Sequence, residues 1–181
     1  MPEHPNLQLL EEFRITPEVG EKVRSLLHAC FPDSEFARSR TYLKQLPQRR
    51  LLAWQGDELI AHMAIEHRMI GLQTGPATIM GVIDLCVAND HRGTGLASEC
   101  LARLERLARE HQIEFLMLFA DDARLYTRNG YHRADNHLSW LKIHEHANFG
   151  IGEDVLEELM VKQLGERAWP TGRVDLLGYQ F

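Results

Sequence analysis

The chain has 181 residues, of which 44% are hydrophobic and 25% charged, and its formal net charge at pH 7 is −6. These values are typical of one globular domain, and the negative charge argues against nucleic-acid binding, which requires a basic face. No segment approaches the roughly 20 consecutive apolar residues of a membrane-spanning helix, so we expect no membrane partner.

The cysteines and the polar start of the chain favour a reducing compartment. Cys30, Cys86 and Cys100 form no CxxC pair, and residues 1–6 carry no signal-like apolar stretch. We therefore expect three reduced thiols and a cytoplasmic location.

The first third of the chain predicts a strand followed by two helices. Residues 7–15 are typical of a strand. Thr16-Pro17-Glu18 supplies a capping hydroxyl, a proline at the first helical position and an acid in the first turn. Apolar residues at helical spacing continue this helix to Cys30, and a second helix is predicted over residues 34–46.

Three strands are predicted next. Residues 51–54 and 59–70 flank a turn that contains Gly56, which is the pattern of a hairpin. Residues 78–87 form the most apolar strand, and its only charged residue is Asp84. We expect both faces of this strand to be buried.

The rest of the chain predicts an amphipathic helix over residues 94–111 and a buried strand over 113–119. We expect Asp121 to cap a short helix that ends at Gly130. The remaining segments are predicted as a strand at 131–143, a loop at 144–153, an ambiguous segment at 156–164 and an extended segment at 169–181.

This order of elements predicts a mixed α/β (α+β) fold with a mostly antiparallel sheet of about six to seven strands flanked by helices. We expect a single domain over residues 1–181, with a core at about 7–143 and a C-terminal substrate-side segment at about 144–181.

A glycine-bearing turn joins the apolar strand to the amphipathic helix. Gly93 and Gly95 allow a tight turn and leave the backbone N–H groups uncovered, while Arg92 adds a cation. N–H groups at a helix N-terminus bind anions, so this turn is suited to a diphosphate. A turn that binds nothing is the alternative. No GK[ST] or GxGxxG pattern follows, so neither a P-loop nor a dinucleotide fold is indicated.

Two motifs here resemble those of a known family. Arg92-x-x-Gly95-x-Ala97, after a strand ending in Leu85-Cys86-Val87, resembles the coenzyme A signature of the GNAT acetyltransferase superfamily. The segment LYTRNGY at residues 125–131 is similar to the LYxxxGF landmark of that family. One helix and one strand separate the two motifs, as the fold requires, and the resemblance covers about residues 7–143.

The resemblance implies a GNAT-like sheet whose central strands splay apart around the pantetheine arm of acetyl-coenzyme A (acetyl-CoA). It implies that the following residues bind this co-substrate: Leu85, Cys86, Val87, Arg92, Gly93, Thr94, Gly95, Leu96 and Ala97. Many members carry an asparagine about a turn and a half before the tyrosine, where this chain has FADD at residues 119–122. A pantetheine contact from that position is therefore not implied.

Acyl transfer to an amine requires a proton acceptor and a proton donor. Tyr126 matches the family position from which a phenol reaches the sulfur of coenzyme A, although packing of one helix face is the alternative. For the base, the first candidate is Asp84, which we expect to share a strand face with Cys86, with a structural acid as the alternative. Glu66 and His62 are further candidates.

Two further patterns are a cysteine that could act as a nucleophile and a histidine pair that could bind a metal. We do not expect Cys86 to carry the acyl group, because the nearest histidine, His91, lies in the glycine turn. His144-Glu145-His146 lacks a third metal ligand, so we expect no metal site.

The resemblance implies that acceptor choice lies in residues 31–36 and 144–181, which makes Phe31, Phe36 and His62 candidate substrate contacts. The tail, with LMV at 159–161 and WPTG at 169–172, resembles the aminoglycoside 2′-N-acetyltransferases and the nodulation N-acyltransferases. Both branches act on amino sugars. Alternatively, the tail tryptophan caps the sheet.

Three functions remain open at this point. The first is acetyl transfer from acetyl-CoA to a primary amine of a small molecule, for which an amino sugar is one acceptor. The others are a protein or peptide N-acetyltransferase and a non-catalytic acyl-CoA-binding domain. Exposed strand edges in such sheets can also pair into a homodimer.

Overall fold

The computed structural model describes residues 4–34 and 36–181, so Glu35, within the predicted helix at 34–46, and the first three residues of the predicted polar start lie outside the described residues. The chain divides into two compact units. The first comprises Met1–Ile65 and Ile83–Leu101, and the second comprises Glu66–Val82 and Ala102–Phe181.

The described residues form four α-helices and ten strands. The helices are α1 (Pro17–Cys30), α2 (Phe36–Ser39), α3 (Leu96–Glu110) and α4 (Arg124–Arg128). The strands are β1 (Asn6–Glu11), β2 (Arg49–Gln55), β3 (Glu58–Leu72), β4 (Gly75–Val87), β5 (Phe115–Phe119), β6 (His132–Arg133), β7 (His137–His144), β8 (Ala147–Val155), β9 (Leu159–Gln163) and β10 (Arg173–Tyr179). None of the described helices is long and apolar enough to cross a membrane.

In the first unit, α1 packs on the antiparallel strands β1, β2 and the first part of β3. The predicted start of α1 is confirmed, because the Thr16 hydroxyl accepts a hydrogen bond from the Val19 amide and Pro17 is the first helical residue. Leu27 of α1 is fully buried in the apolar cluster of this unit, which also contains Cys86 at the end of β4.

In the second unit, the strands follow the order β6-β9-β5-β4-β3-β10-β7-β8. Most pairs are antiparallel, whereas β4–β5 and β7–β10 are parallel. The register of β4 with β5 covers only three pairs, from Ile79–Phe115 to Gly81–Met117. Both strands continue beyond this point, β5 to Phe119 and β4 to Val87. The mixed, mostly antiparallel fold predicted from the sequence is therefore confirmed.

The count of strands exceeds the prediction because the C-terminal third is mostly sheet. Residues 144–153, predicted as a loop, contain a turn and most of β8. The turn is made by Glu145 and His146, whose φ values are +44° and +62°. Such left-handed residues suit a tight hairpin, but a turn without glycine gives little sequence signal. The predicted strand at 131–143 is interrupted between β6 and β7.

Two helix predictions are wrong. The helix expected over residues 34–46 is limited to α2, and beyond its end the Thr41 carbonyl accepts a hydrogen bond from the buried Arg50 side chain. The predicted cap at Asp121 does not form, because the N-cap residue of α4 is Ala123; the Asp122 carboxylate, just before it, accepts the Arg124 amide hydrogen at 3.0 Å.

Candidate functional site

The turn between β4 and α3 has the backbone shape of an anion cradle. Gly93 and Gly95 adopt φ values of +76° and +90°, which L side chains rarely adopt. A Cβ atom built at either glycine would meet no other atom within 4 Å, so the space above the turn is open. The residues from Arg92 to Gly95 are exposed. An incoming group can therefore approach the backbone closely here.

The N-terminus of α3 completes this cradle. The Glu99 amide donates to the Gly95 carbonyl at 3.0 Å, which makes Gly95 the first residue in the helical hydrogen-bond pattern. The N–H groups of the first turn, such as those of Leu96 and Ala97, have no carbonyl one turn earlier in the helix. These groups and the positive end of the helix dipole favour a negative charge.

Arg92 is fixed at the base of the cradle. Its Nε donates to the Val87 carbonyl at 3.2 Å, which ties the guanidinium to the end of β4. The Thr94 hydroxyl donates to the His91 carbonyl at 2.7 Å and braces the preceding turn. The cradle thus combines a cation, exposed backbone and a helix N-terminus within one segment of the first unit.

Asp84 interrupts the regular geometry of β4. Its φ is +48°, and burial raises the pKa of its carboxyl to about 6, against the opposing effect of the Arg50 charge. This left-handed backbone departs from the regular strand alternation on which the predicted shared face with Cys86 rests, so the shared face stays a prediction. A carboxyl that titrates near neutral pH suits a proton acceptor.

A buried arginine organises the surroundings of Asp84. The fully buried Arg50 donates from Nε and Nη2 to the two carboxylate oxygens of Glu12, at 2.6 and 3.0 Å. Its Nη1 lies 2.8 Å from Nε2 of His62, and its Nη1 and Nη2 also donate to Thr41. Paired in this way, the guanidinium charge is tolerated in the interior.

His62 is held as a neutral ring that supports the Asp84 backbone. Because arginine can only donate, Nε2 of His62 must accept, and Nδ1–H therefore donates to the Asp84 carbonyl at 3.0 Å. Burial, together with the Arg50 charge, lowers the pKa of His62 to about 3. Both ring nitrogens of this fully buried side chain are engaged, which leaves it no surface for a ligand.

Tyr126 lies in α4 of the second unit and is half-buried. Its ring meets the ring of Tyr131 edge to face, with 5.9 Å between centroids. The Tyr131 hydroxyl is buried and has no hydrogen-bond partner within the described residues. Burial, with a smaller effect from Tyr126, raises the pKa of Tyr131 above its ordinary value.

Glu66, also in the second unit, belongs to a network with the C-terminal strand. Its buried carboxylate accepts hydrogen bonds from Arg68 at 3.0 Å and from the Tyr179 hydroxyl. Arg68 stacks over the rings of Tyr179 and Phe181, at 4.5 and 5.0 Å from their centroids. These contacts hold the end of the chain, and Glu66 is already bonded to two donors.

The remaining candidates lie in less specific surroundings. Phe36 is buried in the apolar cluster of the first unit, and Phe31 packs against that cluster. His144 precedes the β7–β8 turn that contains Glu145 and His146. Over residues 4–34 and 36–181, no group of three His, Cys, Asp or Glu side chains is arranged to hold a metal ion.

Comparison with known families matches the acetyltransferase (GNAT) domain to residues 14–134, which is more than half of the chain. The chain belongs to the GNAT family. The matched model is that of an acetyltransferase domain, and the GNAT family uses acetyl-CoA as its acyl donor. A comparison with curated proteins finds no significant match.

Solved GNAT structures share the fold of this GNAT protein. The N-acetyltransferase YhbS from Escherichia coli, determined in complex with coenzyme A, is 16% identical, with a TM-score of 0.63 over 95% of this chain and 89% of YhbS. ElaA from Escherichia coli is 15% identical, with a TM-score of 0.61 over 88% of this chain and 99% of ElaA. A protein from Kribbella flavida, described as a GCN5-related N-acetyltransferase, is 18% identical, with a TM-score of 0.55 over 74% of this chain. The GNAT chain spans 34% of the length of the Kribbella protein.

The cradle of this GNAT protein fits the diphosphate of acetyl-CoA. The space that Cβ atoms would fill at Gly93 and Gly95 is open to a phosphate oxygen, and Arg92 adds a compensating charge. The GNAT motif from Arg92 to Ala97 thus coincides with the segment whose backbone is shaped for an anion.

Sequence reasoning missed Arg50 and Tyr179 as contributors to these networks. Arg50 gave a weak signal, since it directly precedes the apolar residues LLAW at 51–54. Such a residue requires a buried partner. Tyr179 gave no signal, because its partner Glu66 is distant in the sequence.

The elevated pKa of Asp84 predicts a pH-dependent stability difference for Asp84→Asn. Between pH 4 and 6 the native carboxyl holds a proton that the unfolded one, with an ordinary pKa of 3.8, has released. Wild-type stability contributed by this group therefore falls as pH rises. The free energy of unfolding of Asp84→Asn, taken relative to that of wild type, should therefore rise by up to about 1.4 kcal/mol per pH unit from pH 4 to 6.

Urea unfolding at several pH values measures this difference. Asp57→Asn, at an exposed turn position, is the control for loss of a carboxylate. A difference between Asp84→Asn and wild type that stays constant from pH 4 to 6 would contradict the assignment.

Proposed function

We propose that this GNAT protein transfers the acetyl group of acetyl-CoA to a primary amine of a small molecule, with an amino sugar as the first acceptor to test. The observation that carries the proposal is the cradle from Arg92 to Ala97, which supports diphosphate binding. Bound acetyl-CoA supplies an acetyl group activated as a thioester. The protein then has to bind the amine, remove its proton and provide a proton for the leaving sulfur.

Asp84 is the proposed proton acceptor. A free alkyl ammonium has a pKa of about 10.4, so the amine must lose a proton on or before attack. The pKa of Asp84, raised to about 6 by burial, leaves its carboxylate ionised at neutral pH and more basic than an ordinary aspartate. The bond from His62 to the Asp84 carbonyl supports a fixed backbone at this position. Glu66 is less suited because Arg68 and Tyr179 already donate to it.

Tyr126 is the proposed proton donor to the leaving sulfur. The support is its position in the LYTRNGY segment, which is similar to the family landmark. A phenol, with a pKa of about 10, is a weaker acid than a thiol at about 8.5, and the mismatch costs about 2 kcal/mol. A preorganised site can offset a difference of that size.

The proposed class of acceptor rests on the resemblance of the tail to enzymes that act on amino sugars. Trp169 of that tail has a structural role that accounts for its presence without a ligand. Its Nε1 donates to Asn136 at 2.7 Å, and its ring packs edge-on against Phe115 with 5.0 Å between centroids. Amino sugars are therefore the first group in a wider amine screen.

Gly95→Ala should weaken acetyl-CoA binding at least about tenfold, since the new methyl group would occupy the space proposed for a phosphate oxygen. A loss of that size corresponds to about 1.4 kcal/mol. Isothermal titration calorimetry measures the affinity. Gly150→Ala is the matched control, because Gly150 has a similar φ of +84° and also has no atom within 4 Å of its added Cβ. Equal affinities of the two variants would contradict the proposed diphosphate site.

Tyr126→Phe should lower kcat about a hundredfold or more, the usual contribution of a general acid, while acetyl-CoA affinity is retained. Steady-state kinetics with the best acceptor measures the effect. Tyr131→Phe removes the same atom from the neighbouring ring and should keep kcat, because that hydroxyl makes no hydrogen bond within the described residues. An active Tyr126→Phe enzyme with unchanged kcat would refute the acid assignment.

A further inference from the structure

Two of the three cysteines meet at the point where α1 ends and β4 ends. Cys30 is the last residue of α1, and Cys86 is the penultimate residue of β4. Cys86 belongs to the apolar cluster of the first unit, and Cys30 packs against that cluster. The Cys30 sulfur lies 3.5 Å from the carbonyl oxygen of Val87, the residue that follows Cys86. The acyl-transfer proposal uses neither side chain.

Cys30 has the surroundings of a reactive thiol. It is half-buried, whereas Cys86 and Cys100 are buried. The hydrogen bond from Cys86, together with the nearby Arg92 guanidinium, lowers the pKa of Cys30 below that of an ordinary thiol. The thiolate is the nucleophilic form of cysteine, and cationic, partly exposed sites favour it.

Cys86 has the surroundings of a resolving thiol. Its hydrogen bond to Cys30, together with burial, raises its pKa above the ordinary value, and the Asp84 carboxyl adds to this effect. The neighbouring sulfur is therefore ionised in preference to Cys86. Once Cys30 is oxidised it no longer carries the anion, and the main cause of the raised pKa of Cys86 is removed.

We propose that Cys30 and Cys86 form a peroxide-sensitive dithiol that is converted to an intramolecular disulfide. The Cys30 thiolate attacks one oxygen of hydrogen peroxide, the O–O bond breaks, and hydroxide leaves to become water. Cys86 then attacks the sulfur of the Cys30 sulfenic acid, an S–S bond forms, and the departing hydroxide takes the Cys86 proton as a second water. The two electrons lost by the sulfurs reduce the peroxide.

Oxidation would change the contacts of the backbone that holds Arg92. The Cys30 sulfur lies 3.5 Å from the Val87 carbonyl oxygen, and Arg92 donates to the same oxygen. The disulfide joins α1 to β4 covalently beside this oxygen. The redox chemistry itself does not depend on acyl transfer.

The test is peroxide treatment of the purified, reduced full-length protein without acetyl-CoA. Free thiols should fall from three to one, and the intact mass should fall by two hydrogens. Trypsin places the cysteines in separate peptides, Cys30 in 25–38, Cys86 in 69–92 and Cys100 in 93–103. The first two should be linked, and dithiothreitol should separate them.

Matched variants identify the partners. Cys100→Ala should still form the linkage, whereas Cys30→Ala should lose no thiol at the same peroxide dose. If Cys86→Ala does not fold, the peptide map of the wild-type protein alone shows whether Cys86 is the partner of Cys30. A linkage through Cys100, a disulfide between two chains, or stable oxygen addition at Cys30 with Cys86 still free would each overturn the proposal.

Discussion

The first unit is organised around one fully buried charge, the guanidinium of Arg50. An unpaired ion in this position would be very costly, so the surrounding chain must supply acceptors. Glu12, Thr41 and His62 do so from three separate segments. The requirement that His62 accept from Arg50 fixes its tautomer, and that tautomer in turn fixes the carbonyl of Asp84. The buried Arg50 charge is thereby linked, through His62, to the backbone of Asp84, the proposed base.

The cradle after β4 uses a different physical principle. Most of its contacts to an anion would come from the backbone, because Gly93 and Gly95 leave backbone amides and the start of α3 accessible. Arg92 is the one side chain that adds a charge, and its hydrogen bond to Val87 joins the cradle to β4. The acyl donor is therefore expected to be recognised mostly by backbone geometry. Acceptor chemistry depends on side chains that differ more widely among proteins of this fold.

Local signals predicted the parts of the fold that depend on local chemistry. The cap and proline of α1, the hairpin at Gly56 and the glycine turn before α3 were all readable from short segments. The features that were missed depend on distant partners: the left-handed backbone at Asp84, the bond from Arg50 that takes the Thr41 carbonyl and the β7–β8 turn at Glu145 and His146. For the site, the donor cradle could be predicted, whereas the environments of Asp84 and Glu66 required the folded chain.

The most direct test of the proposed function is amine-dependent release of the coenzyme A thiol from acetyl-CoA, measured first with glucosamine and then across primary amines. The account predicts release that requires both protein and amine, with a product heavier than the amine by one acetyl group. A folded protein that binds acetyl-CoA but releases thiol at the same rate with and without every amine would contradict it.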